Sequence, residues 1–256
     1  MGKADMHIHT SCNDGTATVV EILDFVRDST DLDVMAITDH DRLRGAQEAV
    51  DRSADYPFEI VPGVEMTTLE GHCLCLFVQQ PIKMWRSLEW TIGKAHEQGA
   101  IVIAPHPMSM LTRSIGRWSF ERVMKSKSAE IYFDAVETLN PSYAGRVAEP
   151  RVRALNQERW QLPEVGNSDA HHREGVGSAF TTFDGSTAAD YRQALARHAT
   201  RAEGEHWDLG THALVARRKL QSLRHNLAQG PRHMLRRLAT ESDVVPAGTS
   251  GSPHRS

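Results

Sequence analysis

Histidines and carboxylates in this chain fall into short, repeated clusters. In His7-Ile8-His9, strand alternation turns both imidazoles to one face and Met6 and Ile8 to the other, which makes a two-nitrogen clamp for a metal ion. Asp14 follows closely. Further along come Thr38-Asp39-His40-Asp41, Glu65, His72, Pro105-His106-Pro107 and Asn167-Ser168-Asp169-Ala170-His171-His172. Each cluster alone has an ordinary explanation: Asp39 or Asp41 as a helix cap, His106 in a rigid turn between prolines, Asp169 as the cap of a turn. Their recurrence makes metal binding the economical reading. Six of the 14 histidines, with Asp14, Glu65 and Asp169, supply nine nitrogen or oxygen donors. Nine is too many for one tetrahedral ion and suits two or three divalent ions sharing a bridging carboxylate; a set without thiolate fits Mn, Fe or Zn.

What must position these residues is a series of short strands, because each cluster ends an apolar run. Strands are expected at Ala4 to His9, Val34 to Thr38, Glu59 to Glu65, His72 to Val78, Ala100 to Ala104, Ala135 to Leu139, Pro163 to Gly166 and Ala179 to Phe183. Helical periodicity fills most gaps, at Thr18 to Asp28, Leu43 to Ala54, Met84 to Gln98, Ser119 to Lys125, Ala144 to Gln157 and Ala188 to His198. Strand and helix in alternation predict an α/β protein with a parallel sheet, and about seven repeats favour closure into a barrel. In such a barrel the loops after the strands share one rim, and that rim carries the chemistry.

The rest of the chain frames this core. With 256 residues, 40% hydrophobic and 24% charged, and a formal net charge of -4, the composition is that of an ordinary globular protein with no overall pull toward nucleic acid or membrane. No apolar run reaches signal-peptide or membrane-spanning length, and three cysteines, Cys12, Cys73 and Cys75, suit a reducing compartment; a soluble cytoplasmic protein is expected. Residues 1–207 are read as the barrel and 208–240 as a basic helical extension carrying Arg217, Arg218, Lys219, Arg224, Arg232, Arg236 and Arg237. Leu214, Val215, Leu220, Leu223 and Leu227 fall near helical spacing there, so an apolar stripe packed on the barrel is the simpler role; an anionic partner such as RNA is the other, through residues 217–237. Residues 241–256, rich in Gly, Ser, Pro and Thr, are expected to be disordered.

Together, His7-x-His9, Asp14, Thr38-Asp39-His40, Pro62-Gly63-Val64-Glu65, His72, Pro105-His106-Pro107 and Ser168-Asp169-Ala170-His171 resemble the PHP family, named for bacterial polymerases and histidinol phosphatase. The resemblance runs in order from residue 5 to about residue 185. It implies a distorted (β/α)7 TIM-like barrel, here with the C-terminal helical extension, that hydrolyses phosphoesters with up to three metals. By position it assigns His7, His9, Glu65 and Asp169 to one ion and Asp14, His40 and His171 to a second, with Glu65 bridging to a third held by His72 and His106. Asp14 is a permitted variant of a family histidine and hardens the site toward Mn or Fe. On a strand Cys73 and Cys75 face away from His72, so both are read as buried thiols.

The expected reaction is hydrolysis of a phosphomonoester of a small metabolite or nucleotide by a hydroxide bridging two metals. Asp39 would orient a ligand; Arg113, Arg117 and Arg173 lie in rim loops where guanidinium forks fit phosphate, or else are solvated surface arginines; and His172 would either protonate the leaving oxygen or simply be exposed. Nucleotide phosphodiesters or short oligonucleotides are the alternative substrates, carbon-centred esters or amides a second class of bond, and a non-catalytic metal-binding regulatory module a third reading. Filled ligand positions disfavour the last.

Overall fold

In the computed structural model, residues 1–207 and Gly210 are described; the basic extension and the tail expected after residue 207 lie outside them. The described residues hold nine strands and six α-helices, in the order β1 (Gly2–Ile8), α1 (Val19–Ser29), β2 (Val34–Ile37), α2 (Arg44–Asp51), β3 (Glu59–Thr67), β4 (His72–Leu76), α3 (Leu88–His96), β5 (Ile101–Ala104), α4 (Arg117–Met124), β6 (Ala135–Leu139), α5 (Tyr143–Leu155), β7 (Glu164–Gly166), β8 (Ala179–Phe183), α6 (Ala188–Ala196) and β9 (Arg201–Gly204). Helix starts follow local chemistry. Thr18 and Thr187 form capping boxes with Glu21 and Asp190, while Ser87 and Ser142 cap α3 and α5.

The strands form one sheet in the order β7-β6-β5-β4-β3-β2-β1-β8-β9, curled into a nearly closed barrel. Closure is made by the chain just beyond β7: Ile8 bridges Ala170 in parallel, and the His9 amide donates to the Ala170 carbonyl at 2.9 Å. Two side chains lock the seam, since the Met6 amide donates to Asn167 Oδ1 and the Ser168 amide to Asp5 Oδ1, each at 3.0 Å. The expected all-parallel sheet is corrected at β4, which runs antiparallel to both β3 and β5, and at β8, antiparallel to β1. Only four residues, 68–71, separate β3 from β4, too few for the crossover a parallel pair needs. The strand β9 carries no apolar alternation and was not expected.

Two cores result. Inside the barrel lie Ala4, Met6, Val34, Ala36, Val61, Leu74, Leu76, Ile101, Ile103, Ala135 and Val165, closed at the strands' N-terminal end by Tyr191, Ala194 and Leu195 of α6. Outside, α1 and α2 cover Ile8, Met35 and Ile37, while α3 and α4 cover Cys73, Cys75, Val102 and Ala104. Met6 and Ile8 therefore occupy different cores, contrary to simple alternation. The register of β1 against β2 slips between Asp5 and Ile8, and this bulge inserts one residue, so that Met6 and His7 both face inward. Among the described residues no helix is long and apolar enough to cross a membrane.

Candidate metal centre

All nine expected donors converge at the C-terminal end of the barrel. Glu65, 1% exposed, sits at the middle: its Oε2 lies 3.3 Å from His7 Nε2, 3.3 Å from His9 Nε2 and 3.1 Å from His40 Nδ1, and its Oε1 lies 2.9 Å from His72 Nδ1 and 3.1 Å from His106 Nε2. Asp169 Oδ1 lies 3.5 Å from His7 Nε2 and 3.4 Å from His9 Nε2. Asp14, the most exposed member, reaches His171 Nε2 at 3.0 Å and His9 Nδ1 at 3.6 Å.

The donor atoms fall into four overlapping sets, within each of which all lie inside 4.8 Å: His9 with Asp14, His40 and His171; His7 with His106 and Asp169; His7 with His9 and Glu65; and His40 with Glu65 and His72. His106 groups with His7 and Asp169, and it also shares Glu65 Oε1 with His72, the pair that the resemblance implies. The set fits divalent cations. His7 Nε2, both ring nitrogens of His9 and His40 Nδ1 are buried with no hydrogen-bond partner among the described residues, an arrangement expensive for polar atoms unless something else binds them. No thiolate joins: Cys73 and Cys75 point to the outer core with sulfurs 3.7 Å apart, and mutual hydrogen bonding and burial push the Cys73 thiol pKa up.

Electrostatics carry the same signature. Burial pushes the His9 pKa down, but Asp169 and Glu65 bring it up to about 10. His7 is likewise raised against its own burial by Asp169 and Glu65. Burial opposes ionisation of Glu65 and Asp169 too, yet the imidazoles around them hold both carboxyls below the usual range. The protein alone balances clustered carboxylates with protons on imidazole; cations would replace those protons. Two donors sit on strained backbone, His106 at φ 43° and Asp169 at φ 49°.

The remaining expected residues are placed differently. Asp39 is buried and accepts from both the amide and the hydroxyl of Thr10, each at 2.6 Å, so it pins the residue after His9 rather than contacting the donors. Arg113 stands on the rim beside His72, whose amide donates to the Arg113 carbonyl at 2.8 Å; its guanidinium stacks on Trp85 and donates to the Thr68 carbonyl. Arg117 pairs with Glu121 on α4, and Arg173 with its neighbour Glu174. His172 is corrected. Extended backbone turns it to the side opposite His171, where it lies 2% exposed, edge-on to Trp207 and against Gly175.

Three residues escaped sequence reasoning. Glu137, buried on β6, lies 3.2 Å from His7 Nδ1, and Asn140 and Asn167 donate to it at 2.9 Å each. The available signal was a lone acid inside the apolar run Ala135-Val136-Glu137-Thr138-Leu139.

Comparison with known proteins agrees with this geometry. Residues 156–200 match the family described as PHP-associated. An uncharacterized protein of Methanocaldococcus jannaschii is 31% identical over 172 residues, 63% of this chain and 94% of that protein. A two-domain protein of Bacteroides vulgatus, described as containing a predicted PHP-like metal-dependent phosphoesterase, superposes with a TM-score of 0.65 at 18% identity, over 79% of this chain and 64% of that one. An amidohydrolase of Chromobacterium violaceum, with bound sulfate and no metal, gives a TM-score of 0.57 at 17% identity over 76% and 96% of the two chains. With a seam-closed barrel, nine converging donors and a relative matched over nearly its whole length, the chain belongs to the PHP family.

Proposed function

We propose that this protein is a metal-dependent hydrolase that cleaves a phosphomonoester of a small metabolite or nucleotide. The observation that carries this reading is the overlap of four donor sets around one buried glutamate, because only a multinuclear site needs that many ligands in so small a space. Divalent ions bound there, Mn, Fe or Zn, would neutralise phosphoryl charge and bring the pKa of a water toward neutrality.

The chain's own residues supply the rest. His7, His9, Glu65 and His106 form the buried floor, Asp169 is partly buried beside them, and Asp14, His40, His72 and His171 form the more open mouth through which substrate enters. Asp39 holds Thr10 and thereby the end of β1. Arg113 retains guanidinium donors at the rim, beside the Trp85 face, for the oxygens of a bound phosphate. The Chromobacterium violaceum structure of the same fold carries bound sulfate, itself a tetrahedral oxyanion. That relative is named an amidohydrolase, so amide or ester hydrolysis is the second reading.

The test is to load purified protein with Mn or Zn and assay phosphorylated metabolites, nucleotides, short oligonucleotides and aryl esters or amides in parallel, with His9→Ala as control. Turnover of monoesters that is lost in the control supports the proposal. Turnover of esters or amides alone would replace it with the second reading. No turnover of any of them, with no transition metal in the purified protein, would overturn both. Activity on oligonucleotides that survives removal of residues 209–256 would exclude a nucleic-acid role for the basic segment 217–237.

A further inference from the structure

Building on the metal-centre reading, we propose that Glu137 is the positioning residue that fixes the tautomer of His7, placing the ring proton on Nδ1 and directing Nε2 to the metal. The assignment follows from counting donors and acceptors outward from the main chain. Asn167 Oδ1 accepts the Met6 amide at 3.0 Å, so the Asn167 amide nitrogen is the end that faces Glu137 Oε2, at 2.9 Å. Asn140 Oδ1 accepts the Ser142 amide at 3.1 Å and its hydroxyl at 2.7 Å, so the Asn140 amide nitrogen faces Glu137 Oε1, also at 2.9 Å.

Both asparagines are thereby oriented by fixed donors, and each presents N–H to a carboxylate that can only accept. The third contact of Glu137 is His7 Nδ1, 3.2 Å from the Oε2 that Asn167 also uses. Each Glu137 oxygen already accepts from an asparagine N–H, so in this contact Nδ1 is the donor and carries the ring proton. His7 Nε2 is then the atom left for coordination, and it lies 3.3 Å from Glu65 Oε2 and 3.5 Å from Asp169 Oδ1 with no hydrogen-bond partner. Asn140 extends the control to a second donor by reaching Asp169 Oδ2 at 3.3 Å.

Local structure is shaped for this contact. The register of β6 against β7 slips between Glu137 and Leu139, a bulge beside the one residue whose aim decides the histidine. Glutamine at 137 substitutes only in part: with its oxygen toward His7 and Asn167 it keeps the proton on Nδ1 and sets its NH2 against that of Asn140, and with its NH2 toward His7 it faces the Asn167 NH2 and moves the histidine proton to Nε2.

The experiment measures Mn and Zn affinity by competition with a chelating dye for the unaltered protein, Glu137→Gln and Glu137→Ala. It also records the His7 ring-nitrogen NMR signals of the zinc-loaded unaltered protein. Expected are a proton on Nδ1 and zinc on Nε2, and metal affinity about 10- to 100-fold weaker in Glu137→Ala, with Glu137→Gln between it and the unaltered protein. Zinc on Nδ1, or unchanged affinity in Glu137→Ala, would overturn the role of Glu137 while leaving the metal centre in place. Failure of the unaltered protein to bind either metal would overturn both. Since the NMR arm needs no substitution, it decides the matter even if the variants do not fold.

Discussion

Glu65 is the residue on which the site turns: five imidazoles lie within 3.3 Å of its two oxygens. Glu65→Gln keeps the shape and removes the charge, so several kcal/mol of metal-derived stabilisation should go with it, about 10³-fold or more in kcat/KM for whichever phosphoester the protein cleaves. His172→Phe tests the opposite case. Facing Trp207 and Gly175, it should leave kcat within about twofold and instead cost stability, about 1 kcal/mol by thermal denaturation. A third residue probes pH away from the metal. Burial lowers the His96 pKa, but hydrogen bonds to Asp134 and the Glu130 carbonyl outweigh it and raise the folded value above the ordinary 6.5. The stability from this pair is complete below that ordinary value and disappears as pH rises through the raised one. Melting temperature should therefore decline on the alkaline side of about pH 6.5 in the unaltered protein, and less so in His96→Gln.

At the scale of elements, short loops and bulges aim the donors. The loop between β3 and β4 turns at Gly71, φ 140°, where an added Cβ would strike the backbone of Ser114 and Ile115. That close approach lets the His72 amide reach the Arg113 carbonyl and sets His72 at the rim. Gly71→Ala should cost about 1–3 kcal/mol in chemical denaturation and, by displacing His72, weaken metal retention more than a surface substitution of equal stability cost. Periodicity revealed the helices and most strands to within a few residues, because each is a local pattern. The short link from β3 to β4 already calls for an antiparallel pair, but periodicity could not reveal that β1 bulges between Asp5 and Ile8, since that depends on the partner strand.

Across the whole molecule, the barrel and its metals are coupled. Closing the seam brings Asp169 against His7 and His9, so binding at the centre should stabilise the fold that assembles it. A metal at a concentration 100 times its Kd adds about 2.7 kcal/mol, which for a domain of this size is a rise of about 5–10 °C in Tm. Chelator should reverse the rise, and His9→Ala should abolish it.

The sequence alone determined which donors exist and that they cluster at or just beyond strand boundaries, because residue type and short-range periodicity are local properties. All nine are legible in the residue pattern itself, as is the placing of Cys73 and Cys75 as thiols facing away from His72. Tertiary structure alone decided how the donors group, that His106 joins His7 and Asp169, that His172 turns outward, and that Glu137 stands behind His7. Each of those facts requires two segments distant in the chain to meet, such as β1 and β6, and no local pattern encodes a distance between them.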